Sequence, residues 1–583
     1  MSPLIYGLFA RSPRYVEKII LEISTIYLRL FFPHALISNE NSHKSTDSGM
    51  MAGKRRKPQG GYGRWRIIVL RRIVQLLFLV VFLVLFIKTD YNGSDHLDAA
   101  VNLLFRLDPY LAACVILGAK TFIALLLPSL VVILLTFFLG RGFCGWFCPM
   151  GTLLDLCQKI LPAQNKKNIT HFPNLGFFLL IFALISSSFG FAVAGYIDPF
   201  SILVRGLAQA LYPLTNSLTV GFFTFTYREL PDFVNAFTEP VYDLLRAWVL
   251  PSSQKFFQLA YLSLFMLLGV LFLEAVQRRY FCRNFCPLGA MLALISRKGM
   301  LAGSGGNDDC HSCRICSKGC RMGAIDHERK IDMGVCNLCY ECVQKCPRDL
   351  ISFGFSSAAK TNSRVSLSRR KFIGVAFVGF LLPSVKGVQV LAKNPDPLLI
   401  RPPGALEEKD FLQRCVRCAE CVQVCLGNAL QPSLFQAGID GMLSPILVAR
   451  TGYCEFNCTL CGQVCPTGAI RQLTMQEKWQ LKIGHAWFDK NICLPFAKGI
   501  PCMVCEEHCP TPNKAIRFRE VAMVGDYGQA ITVSQPYVVD ELCIGCGICE
   551  NKCPLPGRSA IYVTNAGEHR HPDNSFTAYD GYN

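Results

Sequence analysis

The chemistry of this chain is narrowed first by what it does not carry. Its Gly-x-Gly-x-x-Gly run, Gly140–Gly145, follows an apolar membrane-type segment and not a strand, and it has no P-loop and no zinc-peptidase motif, so nicotinamide chemistry, nucleotide-driven work and zinc hydrolysis lack their usual anchors. No Cys-x-x-Cys-His run is present for covalent haem, and no flavin-attachment or sensory segment is evident. Charge is scarce as well: Asp, Glu, Lys and Arg make up 17% of 583 residues, against 51% hydrophobic residues. That balance belongs to membrane segments rather than to a charged soluble protein. The acidic sign is the scarcer one, which leaves a net charge of +18. The surplus Lys and Arg gather beside apolar runs and between cysteines and form no amphipathic reading face, so nucleic acid is not an expected partner. They read as topology determinants.

Cysteine is the residue in excess. Thirty of them are too many for a cytosolic enzyme without metal, and their spacing is not that of a secreted disulfide scaffold. The length predicts several domains. Residues 1–50 read as an N-terminal extension, with a weak apolar stretch around Ile19–Phe32 and a Ser/Asn-rich tail ending at Met50 and Met51, just before basic Lys54, Arg55, Arg56 and Lys57. A misassigned start, with translation beginning at Met50 or Met51, fits this pattern; so does an amphipathic extension lying on the membrane.

Residues 51–300 read as a four-helix membrane domain. Four apolar segments are long enough to cross a bilayer: Ile67–Ile87, Phe122–Leu139, Leu175–Ile197 and Phe257–Val276. Arg64 and Arg66 precede the first, Arg141, Lys159, Lys166 and Lys167 follow the second, and Arg278, Arg279 and Arg283 follow the fourth. The positive-inside rule puts those segments in the cytoplasm. An internal repeat supports the pairing, because Arg141-Gly142-Phe143-Cys144-Gly145-Trp146-Phe147-Cys148-Pro149 matches Arg279-Tyr280-Phe281-Cys282-Arg283-Asn284-Phe285-Cys286-Pro287. On the other face, Asp108-Pro109 echoes Asp198-Pro199, a pattern that suits a capping Asp followed by Pro at the first helical position. In a helix Cys144 and Cys148 share a face, as do Cys282 and Cys286, so two thiol pairs can converge at the membrane boundary as a cofactor site. Four thiolates could hold a metal, or each pair could cycle as a dithiol. Cys114 and Cys157 lack repeat partners and read as structural.

Residues 301–360 carry Cys310, Cys313, Cys316 and Cys320, then Cys336, Cys339, Cys342 and Cys346 before Pro347. This is the bacterial two-cluster ferredoxin run, in which the fourth cysteine of each quartet ligates the neighbouring cubane. Cys310, Cys313, Cys316 and Cys346 are therefore expected to hold one [4Fe-4S] cluster, and Cys336, Cys339, Cys342 and Cys320 the other. Structural zinc sites use two separated Cys pairs or Cys with His, not quartets at this spacing.

Residues 361–394 contain Ser368-Arg369-Arg370-Lys371-Phe372 ahead of an apolar run to Pro383, the pattern of a twin-arginine signal. Its apolar stretch is short for a span and is interrupted by Lys386. Val390-Leu391-Ala392 fits a signal-peptidase site. The twin-arginine export machinery carries domains already folded around a cofactor, and residues 395–583 are such a domain. They hold four quartets: Cys415, Cys418, Cys421 and Cys425; Cys454, Cys458, Cys461 and Cys465; Cys493, Cys502, Cys505 and Cys509; Cys543, Cys546, Cys549 and Cys553. Two pairings fit the spacing: neighbours share, or the first shares with the fourth and the second with the third.

The predicted fold class is mixed, a helical membrane domain of four transmembrane helices with α+β ferredoxin-like [4Fe-4S] domains. Six cubanes and no visible bond-making site describe electron transfer. Residues from about Met51 to Phe355 resemble the NapH family of membrane quinol dehydrogenase subunits, on Gly140 to Gly151 and the two quartets after the fourth helix. Residues from Ser368 onward resemble the NapG/MauM ferredoxin family, including Arg401-Pro402-Pro403-Gly404-Ala405 before the first exported quartet. Here the two are joined, NapH-like part first. The resemblance implies a multi-pass protein of the bacterial inner membrane, with its first ferredoxin domain cytoplasmic and its second periplasmic. It implies quinol from the membrane quinone pool as electron donor, and delivery to a periplasmic reductase such as nitrate reductase through a c-type cytochrome. A polyferredoxin that feeds electrons into assembly of a periplasmic redox enzyme is the alternative.

Overall fold

A repeated pattern of apolar helices broken at the same motifs builds the first half of the protein. The computed structural model describes residues 61–91, 93–97, 100–160, 174–251, 253–305, 313, 315–326, 328–347, 350–355, 368–390, 396–524 and 529–571. The extension 1–50, Cys310 and the cleavage site expected after Ala392 lie outside them. The first repeat comprises α1 (Gly61–Lys88), short α2 (Asn102–Arg106), α3 (Pro109–Ala119), α4 (Ser129–Leu139), short α5 (Gly142–Trp146) and α6 (Pro149–Ile160). The second comprises α7 (Leu175–Ser188), short α8 (Ala194–Ile197) and α9 (Pro199–Gly206), which runs through a π turn into α10 (Tyr212–Glu229). It continues with α11 (Asp232–Trp248), α12 (Ala260–Val276), short α13 (Tyr280–Asn284) and α14 (Pro287–Arg297).

Four of these helices begin at a proline and are capped by the residue before it. Proline at the first position has no N–H to lose, and the residue ahead of it caps the next amides. Asp108 accepts from Tyr110 N at 2.8 Å and Leu111 N at 3.1 Å, and Asp198 accepts from Ser201 N at 2.7 Å. The sulfurs of Cys148 and Cys286 do the same for Gly151 N at 3.4 Å and Gly289 N at 3.2 Å.

Of the four spans expected, the first is matched: Arg66–Lys88 is the one helix among the described residues that is long and apolar enough to cross a membrane. The others are shorter, Ala124–Leu139, Leu175–Ser188 and Ala260–Val276. At 1.5 Å per residue the 14 residues of α7 reach about 21 Å, short of a hydrocarbon core of about 30 Å. The backbone explains α7, since Gly190 turns the chain at φ 85° immediately beyond it.

The two-cluster unit follows α14, with β1 (Leu301–Gly305) pairing antiparallel to β2 (Ile351–Phe355). The twin-arginine segment is one continuous helix, α15 (Arg369–Val390), with Pro383 inside it. It lies along α7, where Ser186 Oγ donates to Gly379 O at 3.3 Å and the rings of Phe189 and Phe380 meet edge-on at 4.9 Å. The four-cluster unit is built on short antiparallel pairs: β3 (Leu430–Pro432) with β4 (Pro445–Leu447), β5 (His485–Phe488) with β8 (Ile561–Thr564), and β6 (Ile516–Val524) with β7 (Ala530–Val538).

The two ferredoxin-type units sit at opposite ends of the helical bundle. At one end, Arg141 Nη1 donates to Gly334 O at 2.7 Å, Trp146 Nε1 to Leu338 O at 3.0 Å, and Arg321 pairs with Asp155 at 2.7 Å. Arg71, near the start of α1, is on this side through Glu341. At the other end, Gln423 Nε2 donates to Phe86 O at 2.8 Å and Arg417 Nη1 to Ala192 O at 2.6 Å. Thr459 binds Asp95 through its N at 2.6 Å and its hydroxyl at 2.7 Å, and Lys255 pairs with Asp90 at 2.5 Å. Arg71 and Phe86 are 15 positions apart on one helix, or about 22 Å.

Candidate metal centres

The four quartets between Cys415 and Cys553 fold the same way: the first three cysteines of each wrap a loop and a one-turn helix around a cavity, and the fourth is carried to the next cavity. Cys415, Cys418, Cys421 and Cys465 line one cavity of about 360 Å³, and Cys425, Cys454, Cys458 and Cys461 line another of about 400 Å³. Cys493, Cys502, Cys505 and Cys553 line a third of about 360 Å³, and Cys509, Cys543, Cys546 and Cys549 a fourth of about 350 Å³. Neighbouring quartets therefore exchange their fourth cysteines, the first with the second and the third with the fourth. In the unit nearer the Cys-Pro motifs, Cys313, Cys316 and Cys346 line a cavity of about 380 Å³. Cys336 lies within electrostatic reach of Cys339, Cys342 and Cys320.

The donor sets fit iron–sulfur cubanes. The walls are mostly apolar, with Ile, Leu, Val, Ala and Pro side chains between the thiols and Thr511 and Glu455 as the polar exceptions in three of the cavities. Among the described residues no three His, Cys, Asp or Glu side chains are placed to hold a single metal ion. The thiols surround a space instead of closing on a point, which suits a cube and not zinc. The transferred fourth cysteine repeatedly accepts a backbone amide. Cys320 accepts from Ala324 N at 3.3 Å, and Cys346, Cys465, Cys509 and Cys553 accept from Leu350, Ile470, Ala515 and Ala560 N, each at 3.4 Å. Such N–H donors favour the thiolate form and tune a bound cluster.

The cavities of the four-cluster unit form a series. The one around Cys418 is nearest the bundle, since Arg205 of α9 lies within electrostatic reach of Cys418 and donates to Arg417 O at 3.2 Å. The second shares the first two quartets with it. The fourth adjoins the second, because Cys454 N donates to Cys546 O at 2.9 Å and buried Lys478 lies among Cys454, Cys461 and Cys546. The third, around Cys493 and Cys502, ends the series beside exposed Ile500 and Met503.

Several residues that hold these sites gave no signal in the sequence. Lys478 looks like any surface lysine. Gly145 and Gly195 look like helix glycines, yet a Cβ on Gly145 would overlap the backbone carbonyl of Asn337, and one on Gly195 that of Val416, next to Cys415. Arg401, in the run already singled out, is fully buried; it donates to Ser444 Oγ at 2.9 Å and Pro445 O at 2.8 Å and stacks on Phe411. It also pairs with Glu408 at 2.5 Å, and Arg570 adds a second contact to that carboxylate at 2.8 Å. Glu408 opens the helix Glu408–Arg414 that delivers Cys415.

Burial is the largest influence on Glu408 and pushes its carboxyl up, but the guanidinia of Arg401 and Arg570 together outweigh it and hold the group at about 2, below its ordinary 4.5. A depressed carboxyl stabilises the fold above its unfolded value and loses that contribution as pH falls toward the folded one. About 3 kcal/mol is present at neutral pH. Glu408→Gln is expected to lower the guanidinium midpoint for bleaching of the cluster absorbance at pH 7. The gap to the parent protein should narrow as pH falls below about 4.5. A gap that widens on acidification would contradict the assignment.

A family model described as a 4Fe-4S binding domain matches residues 121–167, 259–302 and 461–491. The chain is 32% identical over 191 residues to ferredoxin-type protein NapG of Escherichia coli, covering 31% of this chain and 78% of that one. It is 35% identical over 185 residues to methylamine utilization ferredoxin-type protein MauM of Methylobacillus flagellatus, covering 31% and 73%. With MauM of Methylorubrum extorquens the identity is 38% over 164 residues, covering 27% and 68%. No solved structure matches. With cysteine cavities of ferredoxin type and these alignments together, the chain is an iron–sulfur electron-transfer protein and belongs to the family of NapG and MauM ferredoxin-type proteins.

Proposed function

We propose that the protein carries electrons through a membrane, from quinol on the bundle to a redox partner outside. The observation that carries this reading is the docking of two ferredoxin-type units at opposite ends of one apolar bundle. In this reading residues 51–300 form a multi-pass membrane domain of the bacterial inner membrane, with α6 and α14 entering from the cytoplasmic side. Residues 301–360 are cytoplasmic and hold two [4Fe-4S] clusters; residues 395–583 are periplasmic and hold four. The helices too short for a straight span are completed by their flanking turns and by the ends buried under the docked units. Quinol gives up two protons and two electrons, and the electrons pass singly along the four exported cavities. They leave from the one around Cys493 and Cys502 to a c-type cytochrome or directly to a reductase such as nitrate reductase. What the clusters supply is one-electron storage at fixed positions; the chain supplies the thiols, the amide donors and exclusion of water.

The MauM relatives, named for methylamine utilization, favour a second reading in which the electrons serve assembly of a partner's cofactor. One experiment separates the two. Membranes from a deletion strain are assayed for partner activity with quinol and with an artificial donor. A conduit predicts loss with quinol and normal activity with the artificial donor, because assembly never depended on the chain. Loss with both donors overturns the conduit in favour of maturation.

A further inference from the structure

Cys144, Cys148, Cys282 and Cys286 belong to no ferredoxin quartet, yet the bundle gathers them. Each pair among the four lies within electrostatic reach. Cys148 and Cys286 belong to the bundle's apolar core, Cys144 and Cys282 pack against it half-buried, and Cys282 also packs against the core of the two-cluster unit. The two motifs interlock crosswise. Arg279 of the second lies over Gly151 of the first and Arg141 of the first over Gly289 of the second, so closely that a Cβ on either glycine would press into the guanidinium. Arg279 Nη1 is 3.9 Å from Cys282 Sγ. Arg141 is 4% exposed and its Nε has no hydrogen-bond partner. Helices α6 and α14 add their N-terminal turns, each with a cysteine sulfur at the cap. Asp155 balances Arg279 at 2.7 Å, but Arg141, whose Nη1 donates to the Gly334 carbonyl, and the two helix N-termini leave positive charge beside four thiols in an apolar place, an arrangement that is costly unless an anion balances it.

We propose that these four thiols hold a further iron–sulfur cluster, shared between the repeats, with each repeat giving one Cys-x-x-x-Cys pair. Four thiolates on ferric iron and sulfide carry the net negative charge that Arg141 and the two helix ends await. A single ion is disfavoured by the spread of the thiols. Two of the three segments matching a 4Fe-4S binding domain, 121–167 and 259–302, contain these motifs and none of the ferredoxin quartets. This deepens the reading of the chain as a conduit: the site lies between Cys282's neighbours in the two-cluster unit and the bundle core that leads to Arg205 and Cys418. Each passage would reduce the cluster by one electron taken from quinol and reoxidise it as that electron moves on toward the cubane around Cys418.

The test is iron and sulfide content of the full chain, purified anaerobically in detergent, as parent, Cys144→Ser with Cys282→Ser, and Cys148→Ala with Cys286→Ala. Six cubanes alone give about 24 irons per chain; the shared site raises the parent to about 26 for a [2Fe-2S] or about 28 for a [4Fe-4S] centre. Each double variant is expected to lose about two or about four irons while the cubane EPR signals persist. An unchanged iron content in both variants overturns the site. If neither variant accumulates, the parent decides alone, and about 24 irons overturns it. Clusters that are present but never reduced by quinol would sink the conduit and leave this site standing.

Discussion

Gly195→Ala is expected to leave every cluster in place and still cut quinol-driven reduction of the exported clusters by roughly ten- to a hundredfold. The reason is backbone clearance. Gly195 lies in α8, and a Cβ there would overlap the carbonyl of Val416, with the carbonyl carbon and Cα of Val416 close behind. No side chain can rotate away, so the C-terminal unit must lift. Overpacking costs roughly 1–3 kcal/mol, and each 1.4 kcal/mol is about a factor of ten in the docked fraction. Lifting also breaks the hydrogen bonds that seat the first exported cavity, Arg417 on Ala192 O and Arg205 on Arg417 O. Gly221→Ala is the matched control, because nothing lies within 4 Å of that position. The readout is the rate of bleaching of the exported clusters after quinol addition, against iron content. Parental transfer in Gly195→Ala would mean that electrons do not enter the exported unit through this contact.

How much of this was open to a reader of the sequence depends on the range of the interaction. Cys-x2-Cys-x2-Cys-x3-Cys spacing is local chemistry, so Cys336, Cys339 and Cys342 around one cluster, with Cys320 joining them, followed from the run itself. The pairing of the four C-terminal quartets did not, since sharing between neighbours and sharing between first and fourth require the same spacing; the cavities decide it, with Cys465 beside Cys415 and Cys553 beside Cys493. The Asp-Pro and Cys-Pro repeats were visible, and their capping role follows from Asp and Pro as residue types. That Arg141 and Arg279 cross to each other's motif was not visible, because it is set by packing of two distant repeats. Helix length was misjudged for a simple reason. An apolar run such as Leu175–Ile197 looks continuous in composition, while Gly190 at φ 85° ends the helix inside it. The buried Lys478 and the glycines at the docked ends belong to the same class, ordinary residues made special by a partner far along the chain.

If the proposed export through a twin-arginine signal holds, Arg369→Lys with Arg370→Lys is expected to abolish protease accessibility of residues 395–583 in spheroplasts, with loss of nearly all quinol-driven partner activity. The conservative change isolates recognition from structure. Arg369 and Arg370 stand exposed at the start of α15, Lys keeps the charge and has nearly the helix propensity of Arg, and the packing of α15 on α7 rests on Gly379 and Phe380 further along. A merely structural pair would therefore tolerate the change. A guanidinium is a planar, forked donor and an ammonium is a point charge, so a receptor that reads the pair discriminates strongly while the helix does not. Cluster assembly precedes export on this reading, and the stranded chain should carry the same iron per molecule as the parent. The three measurements together separate the possibilities: lost accessibility with full iron supports the twin-arginine address. Lost iron would make the segment part of folding. Parental accessibility would show that residues 395–583 reach their compartment without reading Arg369 and Arg370 at all.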